Sequence, residues 1–125
     1  MGRRASPPPH VQTALETLFG ESVAEIRVIE KSLFAALHPR AIATTRRRRI
    51  YLRGTAEDFF TNPSLMLHEY CHVLKQWEPG LLSIAGYVLE WLRRGYWDNR
   101  FEIEAREFAS DNLYRFRALL RRSAE

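Results

Sequence analysis

Residues 65–74 read LMLHEYCHVL. His68, Glu69 and His72 interrupt an apolar run of Leu65, Met66, Leu67, Tyr70, Val73 and Leu74. Such polar groups are costly to bury unless something compensates them. Just upstream, Asn62 is a favourable N-cap and Pro63 suits a first helical position, so a helix is predicted from there to about Trp77, before Pro79-Gly80 breaks it. At about 100° per residue, His68 and His72 fall within about 40° of each other, one turn apart. Glu69 and Gln76 fall at the rim of the same line, and the remaining circumference holds Met66, Leu67, Tyr70, Cys71, Val73, Leu74 and Trp77. The helix is therefore apolar except along the line that carries the imidazoles.

The pattern is H-E-x-x-H. Histidines at i and i+4 can present a ring nitrogen each to one zinc ion. The glutamate beside the first histidine cannot comfortably share that position and is placed instead to take a proton from a water activated by the metal. The bland alternative is two core histidines bonded to backbone. A catalytic zinc needs a third protein ligand. His10 lies in the leader and His38 precedes Pro39 in a loop, and Lys75 and Glu78 occupy the places where a third-histidine pattern would need glycine and histidine. The better source is NRFEIEAREFASDN, residues 99–112. Measured around that helix from Ala105, Glu102 lies about 60° away in the apolar stripe, Glu104 about 100° away on the other flank, and Glu107 points outward. Glu102 ranks first as ligand, Glu104 second as an alternative ligand or outer partner, and Glu107 last, as a surface carboxylate beside Arg100 and Arg106.

Working outward, His10 to Phe19 has helical spacing and Gly20 ends that helix. AEIRVI, residues 24–29, alternates like a strand, and Ser32 to Leu37 reads as one or two helical turns. AIATT (41–45) and RRIYLR (48–53) read as two strands joined by a tight basic turn, and Thr55 to Thr61 as a loop. Residues 81–93 are apolar on nearly every side and predict a buried helix. A last helix is predicted from Asp98 or Asn99 to about Arg122, with Ala105, Phe108, Ala109, Asn112, Phe116, Leu119 and Leu120 on one stripe. The expectation is an α+β fold: a small, mainly helical single domain over residues 11–125, with a short antiparallel sheet and the H-E-x-x-H helix packed on a C-terminal helix that carries the glutamate ligand.

Composition bounds the rest. A chain of 125 residues, 46% hydrophobic, suits one modest core. The single cysteine, Cys71, excludes an intrachain disulfide and fits a reducing compartment. No apolar run reaches the length of a membrane span. MGRRASPPPH, residues 1–10, lacks the apolar core of a secretory signal and is expected to be a disordered leader with a polyproline kink; Gly2 and Ser6 match a loose myristoylation pattern. The net charge of +4 comes from arginine, with a run at Arg46 to Arg49. Such a run can meet nucleic acid or an acidic partner, but no nucleic-acid module pattern accompanies it, so a solvated turn or edge strand is the expected reading.

H-E-x-x-H with a downstream glutamate in an E-x-x-A setting resembles the gluzincin metallopeptidases. More closely, the chain resembles a family of metallopeptidase-like domains found in bacteria near extracellular contractile injection systems or polymorphic toxins. LETLFGESVAEIRVIE is similar to that family's opening helix, glycine and first strand, AIATTRRRRIYLRG to its hairpin, LMLHEYCHVLKQWEPG to its motif helix, and YVLEWLRRGYWDNRFEIEAREFA to its glutamate segment. The resemblance implies zinc held by His68, His72 and Glu102 with Glu69 as base. It also implies a peptide or protein substrate, toxin or injection-system components as partners, and a bacterial cytoplasmic protein loaded into or associated with a secretion apparatus. Arg106 stands where gluzincins often have Asp or Asn after the alanine, which removes one outer acceptor.

On this reading the protein is a zinc metallopeptidase. Tyr87 and Tyr96 are candidate donors to the oxyanion, and the strand at Ile50 to Arg53 is a candidate edge for pairing with an extended substrate. One alternative is a zinc-stabilised interaction or scaffold module with little turnover. A second is an arginine-rich, nucleic-acid-associated protein.

Overall fold

The computed structural model describes residues 3–32, 43–46, 48–77, 84–94 and 100–124. In chain order the elements are β1 (Arg3–Ala5), α1 (Pro9–Phe19), β2 (Arg27–Glu30), β3 (Ala43–Arg46), β4 (Arg49–Leu52), α2 (Ala56–Phe60), α3 (Pro63–Cys71), a π-helical turn (His72–Trp77), α4 (Ile84–Arg94) and α5 (Arg100–Ser123). The fold is α+β and mainly helical, as expected.

Within residues 1–10, where a disordered leader is expected, lie β1 and the first residues of α1. Arg3–Ala5 pairs antiparallel with β2, and Arg3 sits opposite Glu30. The Arg3 guanidinium meets the buried Glu30 carboxylate, with Nε 2.7 Å from Oε2, and the other Glu30 oxygen accepts the Ala56 N–H at 2.9 Å. That bond satisfies one of the amides left without an intrahelical partner at the start of α2. The prolines then set the next element. Pro8 is extended at φ −56°, ψ 150°, as a residue before proline must be, and Pro9 opens α1. Gly20 closes α1 in the left-handed region at φ 73°, donating its N–H to the Glu16 carbonyl at 2.9 Å.

The predicted hairpin forms: β3 and β4 are antiparallel, and Arg48 turns the corner at φ 59°. The sheet as a whole is mixed rather than antiparallel. Its order is β1-β2-β4-β3, with β2 and β4 parallel. Alternation along a strand tells which face is buried but not which strand lies alongside, and β4 here enters between β2 and β3. It is therefore interior and offers no edge to a substrate, contrary to the expectation for Ile50 to Arg53. Val28, Ile50 and Leu52 point inward and are buried, while Arg27 and Arg49 lie opposite each other on the exposed face. Strand β2 starts at Arg27, three residues later than the AEIRVI pattern implies. The expected loop at 55–61 contains α2, capped by the Thr55 hydroxyl accepting from the Asp58 N–H at 3.2 Å; it buries Phe59 and Phe60. The expected turns at Ser32 to Leu37 lie outside the described residues from residue 33 on.

Helices α1 and α3 pack against α5. From α1, Val11, Ala14, Leu15 and Phe19 are buried, and Phe19 stacks on Phe108 of α5 with ring centroids 5.1 Å apart. From α3, Met66, Leu67 and Tyr70 are fully buried, and from α5 so are Ala105, Ala109 and Phe116. Small residues at 105 and 109 let the two helices approach closely. Helix α4 forms where a buried helix was expected, but Val88, Leu89 and Leu92 on it are exposed. No helix among the described residues is long and apolar enough to cross a membrane.

Candidate metal centre

The helix that decides the fold also carries the site. Asn62 caps it as predicted, its side-chain oxygen accepting from the Leu65 N–H at 3.2 Å, with Pro63 in the first turn. The capped start fixes the phase of α3, so His68 and His72 both face α5. The α5 stripe of Ala105, Ala109 and Phe116 must face α3 to close the core, which brings Glu102 to the same place.

His68, His72 and Glu102 converge. Glu102 Oε1 lies 3.0 Å from His68 Nε2 and 3.2 Å from His72 Nε2, and the two Nε2 atoms are 3.2 Å apart. A tetrahedral zinc with bonds of about 2.0–2.1 Å separates its ligand atoms by about 3.3–3.4 Å. The three sides of this triangle come close to that edge length, and two imidazoles with one carboxylate are a donor set that zinc takes in catalytic sites. The residues present thus fit a divalent metal. The alternative of core histidines bonded to backbone does not describe them, because both rings turn their Nε2 atoms to a carboxylate.

Glu69 is buried beside the triangle, with Oε1 3.9 Å from His68 Nε2. Burial raises its carboxyl above the ordinary 4.5, and the neighbouring Glu102 charge adds to the rise, while His72 and His68 oppose it. For Glu102, burial acts upward, but the hydrogen bonds and charges of His68 and His72 outweigh it and hold the carboxyl well below its usual range. Burial works against charge on His72, yet Glu102, Glu69 and Gln76 lift it to about 9. Cys71 is buried on the same helix, and its thiol is pushed up to about 12, chiefly by burial.

Of the ranked carboxylates, Glu102 reaches the histidines. Glu104 does not; its Oε1 accepts from Gln76 Nε2 at 3.0 Å. Glu107 is exposed, as expected. His10 is exposed, on α1, and His38 and Tyr96 lie outside the described residues, as does the side chain of Tyr87 on α4. Gln76 was placed at the rim of the helix by 100° spacing, yet it is buried. The chain leaves α-helical winding at His72, and the wider π turn carries residue 76 inward. The available signal was a long amide four residues beyond a candidate ligand on an otherwise apolar helix.

A family model described as the eCIS core domain matches residues 6–80, more than half of the chain. The chain belongs to the eCIS core domain family. That membership ties it to extracellular contractile injection systems and points to their components as partners. The part matching the eCIS core domain runs from α1 through the π turn and so contains His68, Glu69, His72 and Gln76, whereas Glu102 and Glu104 lie beyond it. No curated protein and no solved structure matches the chain.

Proposed function

We propose that this eCIS core domain protein is a gluzincin-like zinc metallopeptidase that acts on a peptide or protein within a contractile injection system. The observation that carries the reading is the convergence of His68 Nε2, His72 Nε2 and Glu102 Oε1 to within 3.2 Å of one another, with the buried Glu69 beside them. Zinc held by those three atoms would polarise a peptide carbonyl and acidify a water. Glu69 supplies the base: its carboxylate takes the proton from the attacking water and returns it to the leaving amine nitrogen. Burial favours that role, because a carboxyl raised above 4.5 holds a proton more readily than one in bulk water. His68 and His72 hold their rings at fixed angles, 76° apart, by standing one turn apart on a capped helix.

Turnover of a peptide library by the zinc-loaded protein, compared with Glu69→Gln, tests this. The parent cleaves and the variant keeps its zinc while losing cleavage by about 100-fold or more, since an amide cannot act as base. Equal rates would show that the activity arises elsewhere.

A second reading has its own observation. The His72 and Glu102 side chains are each only 5% exposed and Glu69 7%, leaving His68, at 16%, as the open side of the cluster. A metal so enclosed also suits a zinc-stabilised module that docks on injection-system components. Zinc binding and a chelation-sensitive Tm without any turnover would favour that reading.

A further inference from the structure

Gln76 is fully buried and makes three hydrogen bonds that together leave its amide one orientation. Its Nε2 donates to the Phe101 carbonyl at 2.9 Å and to Glu104 Oε1 at 3.0 Å. Both of those partners are acceptors only, so the NH2 end has to face α5 and the oxygen has to face the other way. That oxygen lies 2.6 Å from His72 Nδ1. An amide oxygen accepts and cannot donate, so Nδ1 carries the hydrogen. A neutral imidazole with hydrogen on Nδ1 has its lone pair on Nε2, the atom that lies 3.2 Å from both His68 Nε2 and Glu102 Oε1.

We propose that Gln76 is the positioning residue of this centre: it fixes which nitrogen of His72 faces the metal and ties α5, one residue before Glu102, to the histidine helix. The inference rests on the reading that the cluster holds a metal and extends it to a residue that does not touch the metal. One amide orders a ligand on each side of it. On the α3 side it sets the tautomer and ring orientation of His72. On the α5 side it holds the Phe101 carbonyl, and so the start of the helix turn that presents Glu102. Glu104 is exposed and serves as the lock that keeps the amide from flipping. The π turn is what makes this reach possible, because it brings residue 76 under the His72 ring rather than to the helix rim. The device also bridges the family-matched part of the chain, which ends at residue 80, to the ligand that lies beyond it.

Gln76→Met keeps the shape of the side chain and removes its acceptor and donors. Zinc affinity, measured in competition with a chromogenic chelator, falls about 10–100-fold. In long-range proton–nitrogen correlation spectra of the zinc-loaded, nitrogen-15-labelled protein, the parent shows a solvent-protected Nδ1 proton on His72, and the variant loses that protection. A space-filling role predicts neither change. Glu104→Lys, at an exposed position where folding is not at stake, offers a donor to the amide and favours its flipped form; zinc binding weakens and the His72 Nδ1 proton is lost from the spectrum. Glu104→Gln retains an acceptor and behaves as the parent. Gln76→Met binding zinc within about twofold of the parent, with an unchanged Nδ1 signal, overturns the proposal. A parent protein that binds no zinc overturns the metal reading itself, a result distinct from a parent that binds zinc whatever stands at position 76.

Discussion

The Glu102 carboxylate meets the His68 imidazole at 3.0 Å across 34 residues of chain, from a different helix. This contact joins the motif helix to the C-terminal helix, and neither alone would hold a metal. Purified protein is expected to carry close to one zinc per chain by elemental analysis. His68→Ala and His72→Ala each abolish it, since two donors are too few. Chelation lowers the Tm of the parent and leaves that of either variant unchanged.

The two carboxylates on α5 separate cleanly. Glu102→Ala removes a ligand and weakens zinc well beyond the roughly 10–100-fold that loss of an outer partner costs, whereas Glu104→Ala stays within that range. Competition titrations of both variants decide it. Zinc retained by Glu102→Ala and lost by Glu104→Ala would transfer the ligand role to Glu104.

Zinc uptake should depend on pH through His72. Its folded value of about 9 lies above the ordinary 6.5, so at neutral pH a proton competes with the metal for Nε2. Apparent affinity then rises by about tenfold per pH unit from near neutrality and levels off above about 9. In the metal-free protein the same raised value contributes stability that is complete below 6.5 and lost as pH rises through about 9. Titrations at several pH values against a calibrated chelator check the first effect, and thermal melts in chelator the second.

Glu30 should govern part of the acid limb. The Ala56 N–H, then Arg3, hold its carboxyl below 4.5. A carboxyl held low in the folded state adds stability above its unfolded value, and that stability disappears as pH falls below 4.5. Glu30→Gln therefore lowers the Tm at pH 7, and the gap to the parent narrows toward pH 3. A gap of constant size would assign the effect to packing instead.

The Tyr70 hydroxyl is buried and has no hydrogen-bond partner among the described residues. An unsatisfied buried hydroxyl costs about 1–3 kcal/mol, so Tyr70→Phe is expected to stabilise the fold by about 1 kcal/mol in denaturant unfolding, leaving the Phe59 stack in place. A loss of stability would reveal a partner for the hydroxyl.

Much of the site was legible in LMLHEYCHVL itself. Capping and helical spacing are local properties, and they determined that His68 and His72 share a face and that Glu69 stands beside them. The same spacing along residues 99–112 put Glu102 in the stripe that had to be buried, because a helix must turn its apolar side to its neighbour. Tertiary structure alone decided the rest. The insertion of β4 between β2 and β3 depends on pairing between strands far apart in sequence, which alternation cannot encode. Arg3–Ala5 became a strand only because β2 offered it an edge and Glu30 a partner for Arg3. The role of Gln76 needed both the change to π winding after His72 and the docking of the Phe101 carbonyl and Glu104 against it. Period and capping belong to a single helix, whereas the partners of a side-chain amide are set by whichever element packs across from it.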